Sequence, residues 1–314
     1  MNIFCHSNSC KLISTVASAV LILVLTLSAL PDNAAAQSTL TAEKIGSKVD
    51  VYIDGRFFTS YKFSQDEKYP YFYPVNGPSG ASVTSKRNSD FPHHSSLFFG
   101  ADHVNGGNYW QEGLEEGQII SVKTEIVEEG DDRVTIVNEN IWVRPGADAP
   151  IKDTRQIIIT SPEDQIYQID FNISLLMLQD VTIERTNHSL FSGRMDPDLA
   201  VINGGSMVNA EGEEGEEGTF GKASSWMTYY GNRGDQIEGM TIMQHPSNEW
   251  YPSPWFTRDY GFFSPTPLYW PEDEDIGTVL DMGDIVELRY RVLIHSGDHN
   301  DAGISEYFDS YRNE

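Results

Sequence analysis

Long runs of strict period-two alternation constrain this chain more than any other feature. Tyr167, Ile169, Phe171, Ile173 and Leu175 alternate with polar neighbours, and Val286, Leu288, Tyr290, Val292 and Ile294 keep the same spacing. Side chains two apart share one face of a strand, so each run builds one apolar face that needs covering. Val49, Val51 and Ile53 lead into Asp54-Gly55, a pair suited to a two-residue hairpin turn, and Phe57, Thr59, Tyr61 and Phe63 return. Ile120, Val122, Thr124 and Ile126 run to the turn Glu129-Gly130-Asp131-Asp132, after which Val134, Ile136 and Asn138 come back. Only the tail has helical spacing, with Ile304, Tyr307, Phe308 and Tyr311 following Asp301 as the expected N-cap. With no βαβ rhythm and no long internal repeat, the expected fold is all-β: a large antiparallel β-sandwich with a short C-terminal helix.

The start of the chain follows a different logic. Lys11 precedes the apolar run Ile13–Leu30, and Ala34-Ala35-Ala36 then supplies a small-residue cleavage pattern. Residues 1–36 therefore read as a signal peptide, residues 37–314 as a single β-sandwich domain, and the product as exported, periplasmic or secreted. Cys5 and Cys10, the chain's two cysteines, both fall in the leader. The mature domain is thus expected to fold without disulfides and to carry no cysteine nucleophile. It has no membrane span after the leader.

Lys and Arg total 21 against 47 Asp and Glu, a formal net charge of −26. Such a field repels phosphate backbones, so nucleic acid is excluded as a partner. Two acid-rich stretches, Asn209–Thr219 and Glu272–Asp275, read as solvated loops.

Candidate chemistry gathers in three segments. The first runs from Phe91 to Trp110 and holds His93, His94, Asp102, His103 and Asn105. On a regular strand His93 and His94 would diverge, but irregular backbone after Pro92 would let both enter one site. His93, Asp102 and His103 are candidate ligands for a divalent metal, the one cofactor considered. The second segment contains His245, Asn248, Trp255, Arg258 and Tyr260, a mixture of flat rings and polar groups that suits sugars. The third runs from His188 to Arg194, whose guanidinium could clamp a carboxylate or bridge to Asp196, and Trp226 follows it. The chain contains no Gly-x-Ser-x-Gly, no His-Glu-x-x-His and no phosphate-loop motif.

Pro92-His93-His94, Leu97-Phe98-Phe99-Gly100, Val104-Asn105-Gly106 and Tyr109-Trp110 together resemble a bacterial family of unknown function labelled methane oxygenase PmoA-like, DUF6807. Leu190-Phe191-Ser192-Gly193-Arg194, Gly239 through Asn248, Trp255 and Arg258-Asp259-Tyr260-Gly261 extend the resemblance over nearly the whole mature chain. The family commonly has Arg or Lys after the histidine pair, where this chain has Ser95. The resemblance implies a sandwich of the supersandwich type and an association with bacterial polysaccharide breakdown. Membrane methane oxygenases need several spanning helices, so the label itself is not carried into the expected function.

The expected activity is that of an exported carbohydrate-active enzyme, a lyase or dehydratase acting on acidic, uronate-containing oligosaccharides. In that reading Arg258 or Arg194 neutralises the carboxylate, His93 or His94 is the base, and Tyr260 or His245 is the acid. Asn105, Trp110, Arg194, Trp226, Asn248 and Trp255 are the candidate sugar-binding residues. The alternatives are a non-catalytic carbohydrate-binding protein and a mutarotase- or epimerase-like enzyme.

Overall fold

A computed structural model describes residues 38–111, 113–130 and 132–314. The leader and its cleavage site lie outside these residues. Strands β1 (Leu40–Ile45), β2 (Lys48–Ile53), β3 (Arg56–Lys62), β4 (Tyr71–Val75) and β5 (Leu97–Ala101) begin a first sheet. A second sheet starts with β6 (Gln118–Glu129), β7 (Arg133–Val143), β8 (Ile151–Glu163) and β9 (Ile166–Met177). After the short β10 (Val181–Ile183), β11 (Ser189–Arg194) rejoins the first sheet, and β12 (Ser206–Asn209), β13 (Trp226–Arg233) and β14 (Gln236–Gln244) rejoin the second. β15 (Trp255–Arg258) and β16 (Phe262–Pro265) complete the first sheet, β17 (Thr278–Leu280) pairs with β10, and β18 (Ile285–Ser296) enters the middle of the second. The orders are β1-β2-β3-β4-β5-β11-β16-β15 and β12-β13-β14-β18-β9-β8-β7-β6, with antiparallel neighbours throughout.

The alternation explains the layering. On β9, Ile169, Phe171, Ile173 and Leu175 are buried, and their register partners on β18 are Val292, Tyr290, Leu288 and Val286. Phe171 meets Phe72 at 5.6 Å and Phe191 at 4.7 Å, so this face packs on the first sheet. Each buried aromatic of this kind contributes roughly 1.5–3 kcal/mol. One polar network also lies in the interior: Asp153 holds Arg155 at 2.9 Å and accepts from Trp142 Nε1 at 2.7 Å, while Arg155 covers the Phe99 ring. With all these groups paired, the charges are tolerated in the core.

The hairpin at Asp54-Gly55 forms as expected, with φ of 51° and 72° at the two residues. The tail helix, α2 (Ile304–Tyr311), buries Ile304, Phe308 and Tyr311 against Ile166, Trp226, Met243 and Leu293 of the second sheet. Its N-cap is Gly303 and not Asp301. The chain makes a left-handed turn at Gly303 and the helix starts after it, while the Asp301 amide bonds to the Asp298 carboxylate at 2.9 Å.

The acidic stretch Asn209–Thr219 differs from the expected solvated loop. The Asn209 carboxamide accepts the amides of Glu211 at 3.1 Å and Glu213 at 2.8 Å, and a short helix, α1 (Gly215–Thr219), follows. Asp259 accepts the Glu216 amide at 2.8 Å while Glu216 accepts the Asp259 amide at 3.1 Å, which docks this segment reciprocally onto the end of β15.

Candidate active site

Strand alternation divides β5, β11 and β16 into two faces. Phe191 and Phe263 point to the second sheet, where they meet Tyr290 at 4.8 Å and Tyr229 at 5.6 Å. Phe98, Ser192, Arg194 and Phe262 therefore lie on the opposite face, with Arg194 and Phe262 directly paired in register. Loops before and after β5, the loop before β11 and the β15–β16 turn cover this outer face.

The loop before β5 carries both histidines. The backbone is irregular after Pro92, and the His93 and His94 rings come together at 4.4 Å. Tyr69, stacked on Phe98 at 4.8 Å, donates its hydroxyl to the His93 carbonyl at 2.6 Å and fixes this turn. His94 is buried between the rings of Phe91 and Phe262, at 5.1 and 4.5 Å, and its Nδ1 has no hydrogen-bond partner among the described residues. Burial, reinforced by the neighbouring His93, lowers its pKa to about 2. His93 is less enclosed, yet burial, with the His188 ring nearby, lowers its pKa to about 4. Both rings are neutral at ordinary pH.

The loop after β5 supplies Asp102, which is fully buried. His188 Nδ1 lies 2.9 Å from its Oδ2, and Gln111 Nε2 lies 3.0 Å from the same oxygen and 2.7 Å from the same ring nitrogen. The Thr186 hydroxyl donates to the other carboxylate oxygen. A carboxylate is the strongest acceptor in this group, so Asp102 Oδ2 takes the His188 Nδ1–H and the Gln111 Nε2–H alike; Gln111 then makes no hydrogen bond to His188 Nδ1, and His188 Nε2 keeps the lone pair. The rings of His188 and His93 are 5.6 Å apart, which joins the pair to the dyad. Asn108 accepts the amides of Trp110 and Gln111 at 3.0 and 2.8 Å, a local turn that sets Gln111 against Asp102.

Arg194 closes the site. It is 3% exposed, and Nε and Nη1 have no hydrogen-bond partner among the described residues. Its guanidinium lies 5.0 Å from the Phe91 ring and 4.7 Å from the Tyr260 ring, and these two rings stack at 4.3 Å. Burial lowers the Arg194 pKa and raises that of Tyr260, so the phenol keeps its proton. Phe91, His93, Tyr260 and His188 remain partly exposed, which leaves the cluster reachable from solvent. Two residues beside the site, Ser96 just before β5 and Leu190 in β11, have positive φ.

Of the residues expected from sequence, the structure thus gathers His93, His94, Asp102, Trp110, Arg194 and Tyr260. Trp110 is buried between Phe98 at 4.7 Å and His188 at 6.0 Å. His103 reaches Glu184 at 3.5 Å and only the edge of Asp102 at 3.8 Å. Among the described residues no three His, Cys, Asp or Glu side chains converge as metal ligands.

Other candidates are engaged elsewhere. Arg258 is held by Glu216 at 3.1 Å and lies over the rings of Phe256 and Phe220, at 4.0 and 4.7 Å. Its guanidinium is committed to the α1 contact, so Arg194 is the cation left to meet a substrate. The alternative bridge from Arg194 to Asp196 is not made, because Asp196 faces Arg233 at 3.6 Å. His245 meets Ser247 at 2.7 Å and Arg289 at 3.0 Å beside α2. Asn248 pairs both its amide groups with the Arg289 backbone, at 2.7 and 2.9 Å. Asn105 similarly ties down Asp180 and Thr182. Trp226 and Trp255 are buried, the latter donating to the Ser224 carbonyl at 2.8 Å.

Sequence reasoning placed His188 only at the edge of a segment and did not single out Gln111. The available signal was their position next to residues already chosen, His188 before β11 and Gln111 after Trp110.

No curated protein matches the sequence. Among solved structures, a candidate aldose 1-epimerase from Escherichia coli K12 is similar at 12% identity and a TM-score of 0.32, covering 83% of this chain and 99% of that one. A candidate kojibiose phosphorylase from human microbiome is similar at 12% identity and a TM-score of 0.33, covering 81% of this chain and 31% of its own. A polysaccharide lyase is similar at 9% identity and a TM-score of 0.28, covering 85% and 34%. This chain therefore spans about a third of the latter two proteins, and likeness at this level says nothing about chemistry. The sequence match is stronger: over residues 48–309 the chain fits the profile of a family of unknown function, DUF6807, and it belongs to that family.

Proposed function

We propose that this protein is a carbohydrate-active enzyme that performs a β-elimination on acidic sugars, as a dehydratase or a lyase. The observation that carries the reading is Arg194, a buried cation with two unpartnered donors beside neutral histidines and an aromatic shelf. Nε and Nη1 point to opposite sides of the guanidinium, so each can donate to a separate oxygen of an acidic sugar, one of them on its carboxylate. Neutralising the carboxylate acidifies the adjacent C–H bond. His188 Nε2, oriented through Nδ1 by Asp102, takes that proton. The electron pair forms a C=C bond as the C–O bond at the next carbon breaks, and the Tyr260 hydroxyl, kept protonated by burial, protonates the departing oxygen. The products are an unsaturated uronate and either water or a shortened sugar. The stacked rings of Phe91 and Tyr260 offer an apolar face for a pyranose. The leader expected from the sequence supports an exported setting for this activity, in the periplasm or outside the cell.

The test is incubation with acidic and neutral oligosaccharides, followed by product masses and absorbance in the unsaturated-uronate band. Loss of water identifies a dehydratase, and shortened unsaturated fragments identify a lyase. An isomer of unchanged mass, or saturable binding without product, overturns the elimination in favour of an epimerase or a binding protein.

A further inference from the structure

A second site of opposite character lies at the other end of β15. A groove of about 470 Å³ is lined by Trp250, Trp270, Pro254, Pro267 and the acid side chains of Glu249 and Glu272. Among the described residues no lysine, arginine or histidine lines it. Both tryptophans are partly exposed, and both carboxylates lie at the surface. Its volume falls within the range that accommodates small ligands.

The groove is held in shape from behind. Trp270 packs edge-on against Tyr269 at 4.8 Å and Phe220 at 5.7 Å, and its amide bonds to the Pro267 carbonyl at 3.0 Å. Gly221 has φ +74°, and a Cβ there would stand 3.3 Å from the Trp270 ring. Gly277 has φ +87°, and a Cβ there would stand 2.2 Å from the Ile183 carbonyl oxygen, so the floor at this point admits only glycine. The Ser253 hydroxyl anchors the Trp250 carbonyl at 2.8 Å.

We propose that this groove binds neutral oligosaccharides. Tryptophan faces stack on the C–H surface of a sugar ring, carboxylates accept its hydroxyls, and fixed walls keep the ordering cost of binding low. Two acids and no base, on a chain of net charge −26, oppose a uronate here, the reverse of the Arg194 site. The assignment does not depend on the elimination chemistry.

The experiment is calorimetric titration of the full chain with neutral tetrasaccharides of glucose, xylose and mannose, with tetragalacturonate, and with choline. At least one neutral sugar should saturate. Trp250→Ala, and the surface double variant Glu249→Gln/Glu272→Gln, should each weaken its binding roughly ten-fold, while Arg194→Met leaves it unchanged. If Trp250→Ala proves unfolded by its melting curve, the double variant carries the test. Absence of neutral-sugar binding up to about 10 mM overturns the proposal, as does binding that survives both groove variants. Groove-dependent binding of choline or tetragalacturonate in place of a neutral sugar overturns it equally.

Discussion

Asp102 Oδ2 stands 2.9 Å from His188 Nδ1 although the residues are 86 positions apart. Strand register brings them together: Ala101 pairs with Ser189 across β5 and β11, and the Asp102 amide bonds to the His188 carbonyl at 3.0 Å. The dyad is thus fixed by backbone pairing and held by the Thr186 and Gln111 side chains.

The proposed base role of His188 makes a separable expectation. His188→Ala should lower kcat on an acidic oligosaccharide by roughly 10²–10⁴-fold. Melting temperature should move little, because the side chain is 27% exposed. Asp102→Asn should lose activity as well, since an amide cannot hold the same tautomer, but with a clear drop in stability from the buried network. Full activity in both variants would remove the dyad from the mechanism.

Arg194→Met should separate function from stability. Two unpartnered buried donors cost about 1–3 kcal/mol each, against a cation–π gain of about 0.5–2 kcal/mol per ring. Replacing the guanidinium with an apolar side chain of similar reach should therefore raise the urea midpoint while abolishing turnover of acidic sugars. A destabilised variant that still turns them over would show that the cation serves the fold.

Much of this arrangement is legible in the sequence, and the limits are physical. Alternation specifies β9 and β18 because each has one face in the core, and Asp54-Gly55 specifies its hairpin by local backbone preference. β5 is buried on both faces, so its composition does not reveal that Phe99 meets the core while Phe98 lines the site. Arg258 and Arg194 look equivalent as sequence. They differ because α1 delivers Glu216 to the first and nothing to the second, a long-range pairing that no local spacing encodes. Trp226 and Trp255 likewise read as sugar platforms but serve as packing.

The depressed histidines fix the sign of an acid response. His93 and His295 have folded pKa values of about 4, and His94 of about 2, below the unfolded value of about 6.5. The unfolded chain therefore binds protons first as pH falls, so this stability is complete above about pH 6.5 and declines below it. His94→Phe preserves the stack between Phe91 and Phe262 and removes one such titration. Between pH 6.5 and 4.5 its stability should fall less steeply than that of the parent, by up to about 1.4 kcal/mol per pH unit. Parallel urea-midpoint curves for the two proteins would contradict the neutral, buried state of His94.

Gly100 links the sheet to the site. It lies on the outer face of β5, where the Tyr109 segment crosses so closely that a Cβ would stand 2.6 Å from the Tyr109 carbonyl oxygen. The obstacle is backbone, which cannot rotate aside. Gly100→Ala should therefore lift the segment carrying Trp110 and Gln111 and loosen the grip of Gln111 on Asp102. Stability should fall by about 1–3 kcal/mol, and turnover per folded molecule should fall with it. Gly239→Ala is the control: its Cβ would stand 2.6 Å from His295 and the Tyr229 carbonyl within the second sheet, far along the chain from the dyad. It should cost comparable stability and leave turnover per folded molecule intact. Equal losses of turnover in both variants would mean that Gly100 acts through global stability alone.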